Sequence, residues 1–308
     1  MAELELEREI KRRMRRLRAL FDLSLLEGQG RTQAGIRRYY ERSRLGYRYV
    51  HSEHGAMHMA LNPGGTFDRA GYDGQALLVD ARLPDGCRDV LELACGNGFN
   101  LRLLAARNPA VRFVGVDLVA AQVRRANRAL AEHPGARAIV GDFQALAFGD
   151  ASQDCVFVVE SLCHATDLGR ALGEIARVLR PGGRAIVVDG WRSDAFDGLS
   201  AIVRDATVAI ERAMAVSAGQ TAAIWKVTAA ACGLRVTEEL DLTAQIAPNL
   251  ARLAAIAERA LARPRLLGLA RRVAPEALLM NAVAADLMPL AVRAGAHTYR
   301  LIALERDG

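Results

Sequence analysis

Cysteine is scarce in this chain and is never spaced for a metal or a redox pair. The five present are Cys87, Cys95, Cys155, Cys163 and Cys232. They are an odd number with no CxxC among them, which argues against a disulfide framework and a zinc site and suits a reducing, cytoplasmic setting. No apolar run reaches the roughly 18 residues of a membrane-spanning helix. The opening residues, MAELELEREIKRRM, carry no apolar stretch behind their charges, so no secretory leader is expected. Lysine is nearly absent: Lys11 and Lys226 are the only two among 41 basic residues. The excess of arginine reads as a compositional bias without functional meaning. None of the nine prolines adjoins another, and no Pro-Cys pair occurs.

What is present is enough apolar residue, 51% of 308, for a sizeable core. The net charge of +6 is local, because residues 8–18, REIKRRMRRLR, supply all of it. A helix is expected over 5–27, with Ile10, Met14, Leu17 and Phe21 as one apolar stripe beside a basic face. Such a helix can dock on the body of the protein, lie on a membrane surface or touch nucleic acid; docking is the simplest reading. Residues 28–86, rich in Gly, Tyr and His, are expected to hold short helices and turns such as Asn62-Pro63-Gly64-Gly65. They would form a cap, 1–86, before a main domain, 87–308.

From residue 88 apolar runs alternate with helical patterns. DVLEL (89–93), VRFVGVD (111–117), RAIVGD (137–142), DCVFVVE (154–160) and RAIVVDG (184–190) read as strands. Helices are expected at 101–107, about 119–132 and 168–179. This alternation means βαβ units and a parallel sheet, an α/β doubly wound fold. LRVTEEL (234–240) and HTYRLIALE (297–305) would be the last strands. The segment between them, 241–296, is too long for a plain connection and should be a helical insertion, a lid or a subunit contact that permits a homo-oligomer.

The turn after the first strand, LELACGNGFN (91–100), lets backbone approach a ligand closely and offers free N–H groups at a helix start. Alone it is a weak signal. It is joined by Asp117, 25 residues after Glu92, at the end of the second strand, where an acid suits a ribose. Asp142 ends the third run with Phe143 beside it, a pair suited to an adenine amine and ring. A dinucleotide fingerprint would need a small residue where Leu101 stands, and no P-loop ending occurs. An adenosine cofactor without a pyrophosphate fits better.

With these residues in place, LELACGNG (91–98), GVD (115–117), GDF (141–143) and RVLRPGGR (177–184) resemble the successive motifs of class I S-adenosylmethionine (SAM)-dependent methyltransferases over about residues 88–190. The resemblance implies a Rossmann-like sheet of seven strands, one of them reversed. It implies Gly96 and Gly98 under the methionine part of SAM, Asp117 on the ribose and Asp142 with Phe143 at the adenine. Glu92, Ala94, Leu118 and Glu160 complete the expected cofactor contacts. Ala94 stands where many members have glycine.

Residues after the fourth strand, ESLCHATD (160–167), would face the transferable methyl. Glu160 and His164 are the catalytic candidates, as base or electrostatic groups, with a structural hydrogen bond as the plainer role for His164. This stretch lacks the Asn/Asp-Pro-Pro-aromatic motif of amino-methylating nucleic-acid enzymes, so nucleic acid is not the expected acceptor. Together with EIARVLRPGG (174–183) it is similar to the sterol and tocopherol methyltransferases. GAMHMAL (55–61) resembles the histidine-containing segment of the sterol enzymes, and DLTAQIAP (241–248) a segment of the tocopherol type. Tyr49, Met57, His58 and His164 are the expected acceptor contacts. Met57 and Met59 flank His58 where the sterol enzymes are aromatic, and methionine is an adaptable apolar liner. His51, His54 and His58 with Glu53 have no recognisable ligand spacing, and no metal is expected.

The sequence therefore points to transfer of a methyl group from SAM to a small, fairly apolar acceptor: an isoprenoid, a phenol or quinol, or a polyketide-like natural product. The alternatives are a phospholipid-headgroup or nucleic-acid methyltransferase, with peripheral membrane contact through residues 8–18, and a SAM-binding protein without catalysis.

Overall fold

The computed structural model describes residues 2–23, 32–46, 52, 55–216, 219–263 and 276–308. Seven strands form one sheet: β1 (Asp89–Leu93), β2 (Arg112–Asp117), β3 (Ala136–Val140), β4 (Gln153–Val159), β5 (Leu179–Arg192), β6 (Leu234–Asp241) and β7 (His297–Arg306). Their order is β3-β2-β1-β4-β5-β7-β6, with β7 antiparallel to both its neighbours and the first five strands parallel. The apolar runs are continuous because helices cover both faces of the parallel strands. Alternate residues then serve alternate faces: Cys155, Phe157 and Val159 of β4 join one core cluster, Val156 and Val158 the other. Phe113 and Phe157 are fully buried, and each burial contributes about 1.5–3 kcal/mol.

Ten helices accompany the sheet among the described residues: α1 (Ala2–Leu20), α2 (Gln33–Gly46), α3 (Gly74–Asp80), α4 (Phe99–Arg107), α5 (Ala120–Ala129), α6 (Leu168–Val178), α7 (Ala201–Ala213), α8 (Ala222–Ala231), α9 (Thr243–Leu261) and α10 (Glu276–Arg293). Side chains of α3, α4, α5 and α9 pack on one face of the sheet, those of α6 and α8 on the other. The described residues between β6 and β7 are mostly helical, as the pattern predicts, in α9 and α10. The helices α7 and α8, between β5 and β6, were not singled out by the sequence pattern.

Two boundaries differ from expectation. The first helix ends at Leu20 rather than 27. The Pro181-Gly182-Gly183 turn lies inside β5: Gln153 pairs with Leu179 and Cys155 with Arg184, so the intervening residues bulge, with Gly182 at φ +74°.

The apolar stripe of α1 is committed to the core. Ile10, Met14, Leu17 and Phe21 are buried against Val203 and Ile210 of α7 and Val283 and Leu287 of α10. Two of its basic residues also turn inward. Arg13 and Arg16 donate to the same oxygen of the fully buried Asp286, at 2.8 and 2.7 Å. This is the docked-helix arrangement, which leaves Arg12, 68% exposed, on the outer face. No helix among the described residues is long and apolar enough to cross a membrane.

Candidate active site

The parallel register sets the carboxyl ends of β1, β2 and β3 side by side, with Leu93 opposite Val116 and Asp117 opposite Val140. Helical connections leave β1 toward β2 and β3 on one side and reach β4 on the other, so a crevice opens at this switch point. The turn that follows β1 has three residues in the left-handed region: Ala94 (φ +52°), Gly96 (+55°) and Gly98 (+81°). At Ala94 a methyl is held where it costs about 1–2 kcal/mol. A side chain at Gly98 would be strained twice over, by the left-handed backbone and by a Cβ only 3.0 Å from the Cβ of Ala126.

Asp117 ties this turn to the second strand. One carboxylate oxygen accepts from the Gly96 N–H at 2.9 Å and the other from the Val119 N–H at 2.8 Å. Burial raises its pKa, and these two bonds hold it back. Each oxygen keeps a lone pair for a further donor. Glu92 accepts from Asn100 at 2.9 Å through one oxygen; its other oxygen is buried with no partner. Burial pushes its pKa up to about 8. Asp142 accepts from the Gln144 N–H at 2.9 Å and, through its second oxygen, from the side-chain amide of Gln33 on α2. Phe143 and Leu118 line the same cleft.

These groups fit SAM. A cradle of left-handed backbone, a buried carboxyl with one unpartnered oxygen for a cationic group, and acids placed for a ribose and an adenine lie in order along one crevice. Glu92, Ala94, Gly96, Asp117, Leu118, Asp142, Phe143 and Glu160 line this crevice at the carboxyl ends of the strands, and Gly98 lies in the turn beneath it.

A second, larger cavity of about 420 Å³ adjoins the cleft. Tyr40, Met57, Glu160 and His164 line both. Glu160, left-handed at φ +48°, follows the last residue of β4. Its Oε1 accepts from the Met59 N–H and from the Tyr299 hydroxyl, each at 2.7 Å, and no hydrogen bond reaches Oε2 among the described residues. Gln75 braces this group by donating to Tyr299 Oη at 3.0 Å and to the Met59 carbonyl at 2.6 Å. Burial raises the Glu160 pKa to about 7.

His164 is held at both nitrogens. Nδ1 donates to the Ala215 carbonyl at 3.0 Å, so Nε2 of the neutral ring accepts the Tyr40 hydroxyl at 2.7 Å. Burial lowers its pKa, which favours that neutral ring.

Met57 meets Gln122, whose amide lies 3.3 Å from its sulfur, above Gly96. His58 lines the cofactor cleft rather than the larger cavity; its Nε2 donates to the Tyr72 carbonyl at 2.8 Å. Tyr49, His51, Glu53 and His54 lie outside the described residues. Among the described residues no three His, Cys, Asp or Glu side chains are grouped to hold a metal.

The sequence reading did not find Tyr40, Gln75 or Tyr299, which support His164 and Glu160, nor Trp191, Trp225, Arg192, Glu211 and His297, which line the larger cavity. They are spread over α2, α3, β5, α7, α8 and β7 and form no motif; the tryptophans, two in the whole chain, are the only mark they leave in the composition.

Comparison with known proteins agrees with this geometry. Residues 91–187 match the family described as methyltransferase domain. An S-adenosyl-L-methionine-dependent Diels-Alderase of Talaromyces variabilis is 34% identical over 170 residues, 51% of this chain and 56% of that protein. A 2-methyl-6-phytyl-1,4-hydroquinone methyltransferase of Synechocystis is 36% identical over 112 residues, 36% of this chain and 35% of that one. The chain spans about half the length, or less, of the curated relatives it matches. Among solved structures, a geranyl diphosphate methyltransferase in complex with geranyl diphosphate and sinefungin superposes with a TM-score of 0.68. That match is 22% identical and covers 89% of this chain and 99% of the other. Its low identity speaks for the fold alone. Motifs, sheet order and the matched domain agree: the chain carries a domain of the class I SAM-dependent methyltransferases, with SAM as the methyl donor.

Proposed function

We propose that the chain transfers a methyl group from SAM to a small, largely apolar acceptor held in the larger cavity. The observation that carries this reading is the wall shared by cleft and cavity, where Tyr40, Met57, Glu160 and His164 face both. Bound SAM supplies a methyl already activated by its sulfonium. The residues' task is then to align the acceptor, exclude water and accept a proton. Met57, Met59, Leu162, Ile246 and Leu250 give an apolar, adaptable surface for an isoprenoid, a phenol or quinol, or a polyketide-like ring. The Synechocystis relative, named for a prenylated hydroquinone, supports this class.

Glu160 suits the base. Tyr299 and the Met59 N–H fix one oxygen and leave the other for a proton, and a pKa near 7 allows uptake at neutral pH. His164 suits a positioning role, holding Tyr40 at the junction through its Nε2. Gln33 must release Asp142 for an adenine amine to take its place.

The test incubates the purified protein with methyl-labelled SAM and a metabolite extract of cells that carry it, followed by mass spectrometry. Label in a lipophilic small molecule is expected. Label confined to RNA or to phospholipid headgroups would overturn the reading. SAM binding without any transfer would leave a SAM-binding protein without methyltransferase activity.

A further inference from the structure

Gln75 is a polar side chain at a core position. It is fully buried on α3, where Ala76 and Val79 beside it are buried apolar residues. Its Nε2 lies 2.6 Å from the Met59 carbonyl and 3.0 Å from Tyr299 Oη. A carbonyl can only accept, so the amide presents its –NH2 there and cannot be turned round. Its own oxygen is left buried without a hydrogen-bond partner. An unpaired buried acceptor is destabilising, so this orientation is held against a cost.

That orientation decides where the Tyr299 hydrogen goes. Tyr299 Oη meets Gln75 Nε2 on one side and Glu160 Oε1, at 2.7 Å, on the other. Gln75 brings a hydrogen, so Oη accepts from it and directs its own O–H at Glu160. Burial holds the Tyr299 pKa well above its ordinary value, so the hydroxyl keeps its hydrogen. Oε1 accepts a second hydrogen from the Met59 N–H at 2.7 Å. The Met59 segment is also held next door, where the Ala60 N–H donates to Asn249 Oδ1 at 3.0 Å, so Gln75 acts chiefly through Tyr299.

Nothing else around Glu160 favours its ionised form. Asp189 of β5 opposes it by like charge. Cys163 and His164 after β4, Tyr40 of α2 and Tyr72 before α3 are neutral, each with its pKa moved by burial toward the uncharged form. No arginine or lysine pairs with Glu160 among the described residues.

We infer that Gln75 is a positioning residue for Glu160: it turns the Tyr299 hydroxyl onto Oε1 and so leaves Oε2 as the oxygen that takes a proton from a bound acceptor. The consequence for the reaction rests on the reading of Glu160 as the base. One proton passes from the acceptor to Oε2, the acceptor keeps the electron pair that receives the methyl, and nothing is oxidised or reduced. Hydrogen bonds given to a carboxylate favour its charged form, so Gln75 also lets Glu160 ionise at a lower pH than burial alone would allow.

The experiment follows Glu160 itself. The full-length protein with carbon-13-labelled glutamate carboxyls is titrated by NMR, the Glu160 signal being the one that Glu160→Gln lacks. The native midpoint is expected near 7. Tyr299→Phe should raise it by about one pH unit or more, the equivalent of one hydrogen bond to an ionised group. Gln75→Met, which keeps the bulk and removes the N–H groups, should raise it by about half a unit, and by much less in the Tyr299→Phe background. The rising limb of the pH–rate profile should move up by the same amounts, so that the deficit at neutral pH closes above about pH 9, which damage to the fold would not do. Gln75→Asn, too short by one methylene to reach Tyr299, carries the same expectation if Gln75→Met does not fold. A Gln75 variant that lowers Tm and leaves the midpoint in place overturns the inference, as does a Gln75 shift that adds in full to that of Tyr299→Phe. An unchanged midpoint in Tyr299→Phe overturns it without any change at Gln75. A midpoint that moves while the rate limb stays fixed would overturn Glu160 as the base and leave its tie to Gln75 standing.

Discussion

The cofactor cleft takes its acids and its glycine turn from 52 consecutive residues, Glu92 to Phe143, at the ends of three neighbouring parallel strands. The larger cavity beside it draws its walls from Tyr40 to Tyr299, through α2, α7, α8, α9, α10 and the antiparallel β7. The cleft is held by backbone: Asp117 accepts two main-chain N–H groups and locks the turn it faces. The cavity is held by side chains on side chains, as with Tyr299 on Glu160 and Arg192 on Glu211. A cleft built on backbone and register tolerates change in its surroundings, whereas a cavity built on distant side chains can change its contents without disturbing the sheet. The two halves should therefore respond separately to substitution, except where they share a wall.

Glu160 lies on that wall and should give the largest effect. Replacing it, Glu160→Gln, is expected to lower turnover by about 10²–10⁴-fold. The native rate should rise with pH through about 7, because the base must be ionised and burial holds its pKa there. The variant's pH–rate profile should lose that limb. Unchanged turnover would assign Glu160 a structural role.

Dissolving the support of the cavity tests the other side of the contrast. Arg13→Ala combined with Arg16→Ala leaves the buried Asp286 without a cation, which should cost about 3–5 kcal/mol of stability. A lower Tm with unaltered SAM affinity is expected, since α1 packs on α7 and α10 rather than on the cleft. An equal loss of SAM binding would mean that cleft and cavity are one unit.

Asp117→Ala strikes the cleft alone. Two charge-assisted hydrogen bonds at roughly 1.5–3 kcal/mol each imply a loss of SAM affinity of about a hundredfold or more by calorimetry. Quenching of Trp191 and Trp225 by an acceptor analogue should persist, and its disappearance would break the separation.

The smallest effect is expected at His164. Both of its nitrogens are engaged and burial keeps the ring neutral, so His164→Ala should lower turnover by less than about tenfold. It removes the Tyr40–His164 hydrogen bond, with a stability loss of about 1–3 kcal/mol by thermal unfolding. A turnover loss of a hundredfold or more in a well-folded variant would return His164 to the role of base.

The sequence alone determined the sheet, its parallel strands through β5, and the run of acids and glycines from Glu92 to Phe143 that follows the first three strands. These features are local. Strand periodicity, positive-φ glycines and an acid at each strand end act within a few residues of one another, and parallel register brings the ends together whatever surrounds them. Helical spacing of Ile10, Met14, Leu17 and Phe21 could also show that α1 is amphipathic. Only tertiary structure decided that its stripe docks on α7 and α10 and that two of its arginines meet Asp286, because an apolar stripe is complementary to a core and to a lipid surface alike. The same holds for the larger cavity. Tyr40 reaches His164, Tyr299 reaches Glu160, and Arg192 lies against Glu211 and His297, across separations that no periodicity encodes. Their meeting depends on how α2, α7 and the reversed β7 pack around the end of β5, a matter of side-chain volume and burial settled only when the chain closes on itself.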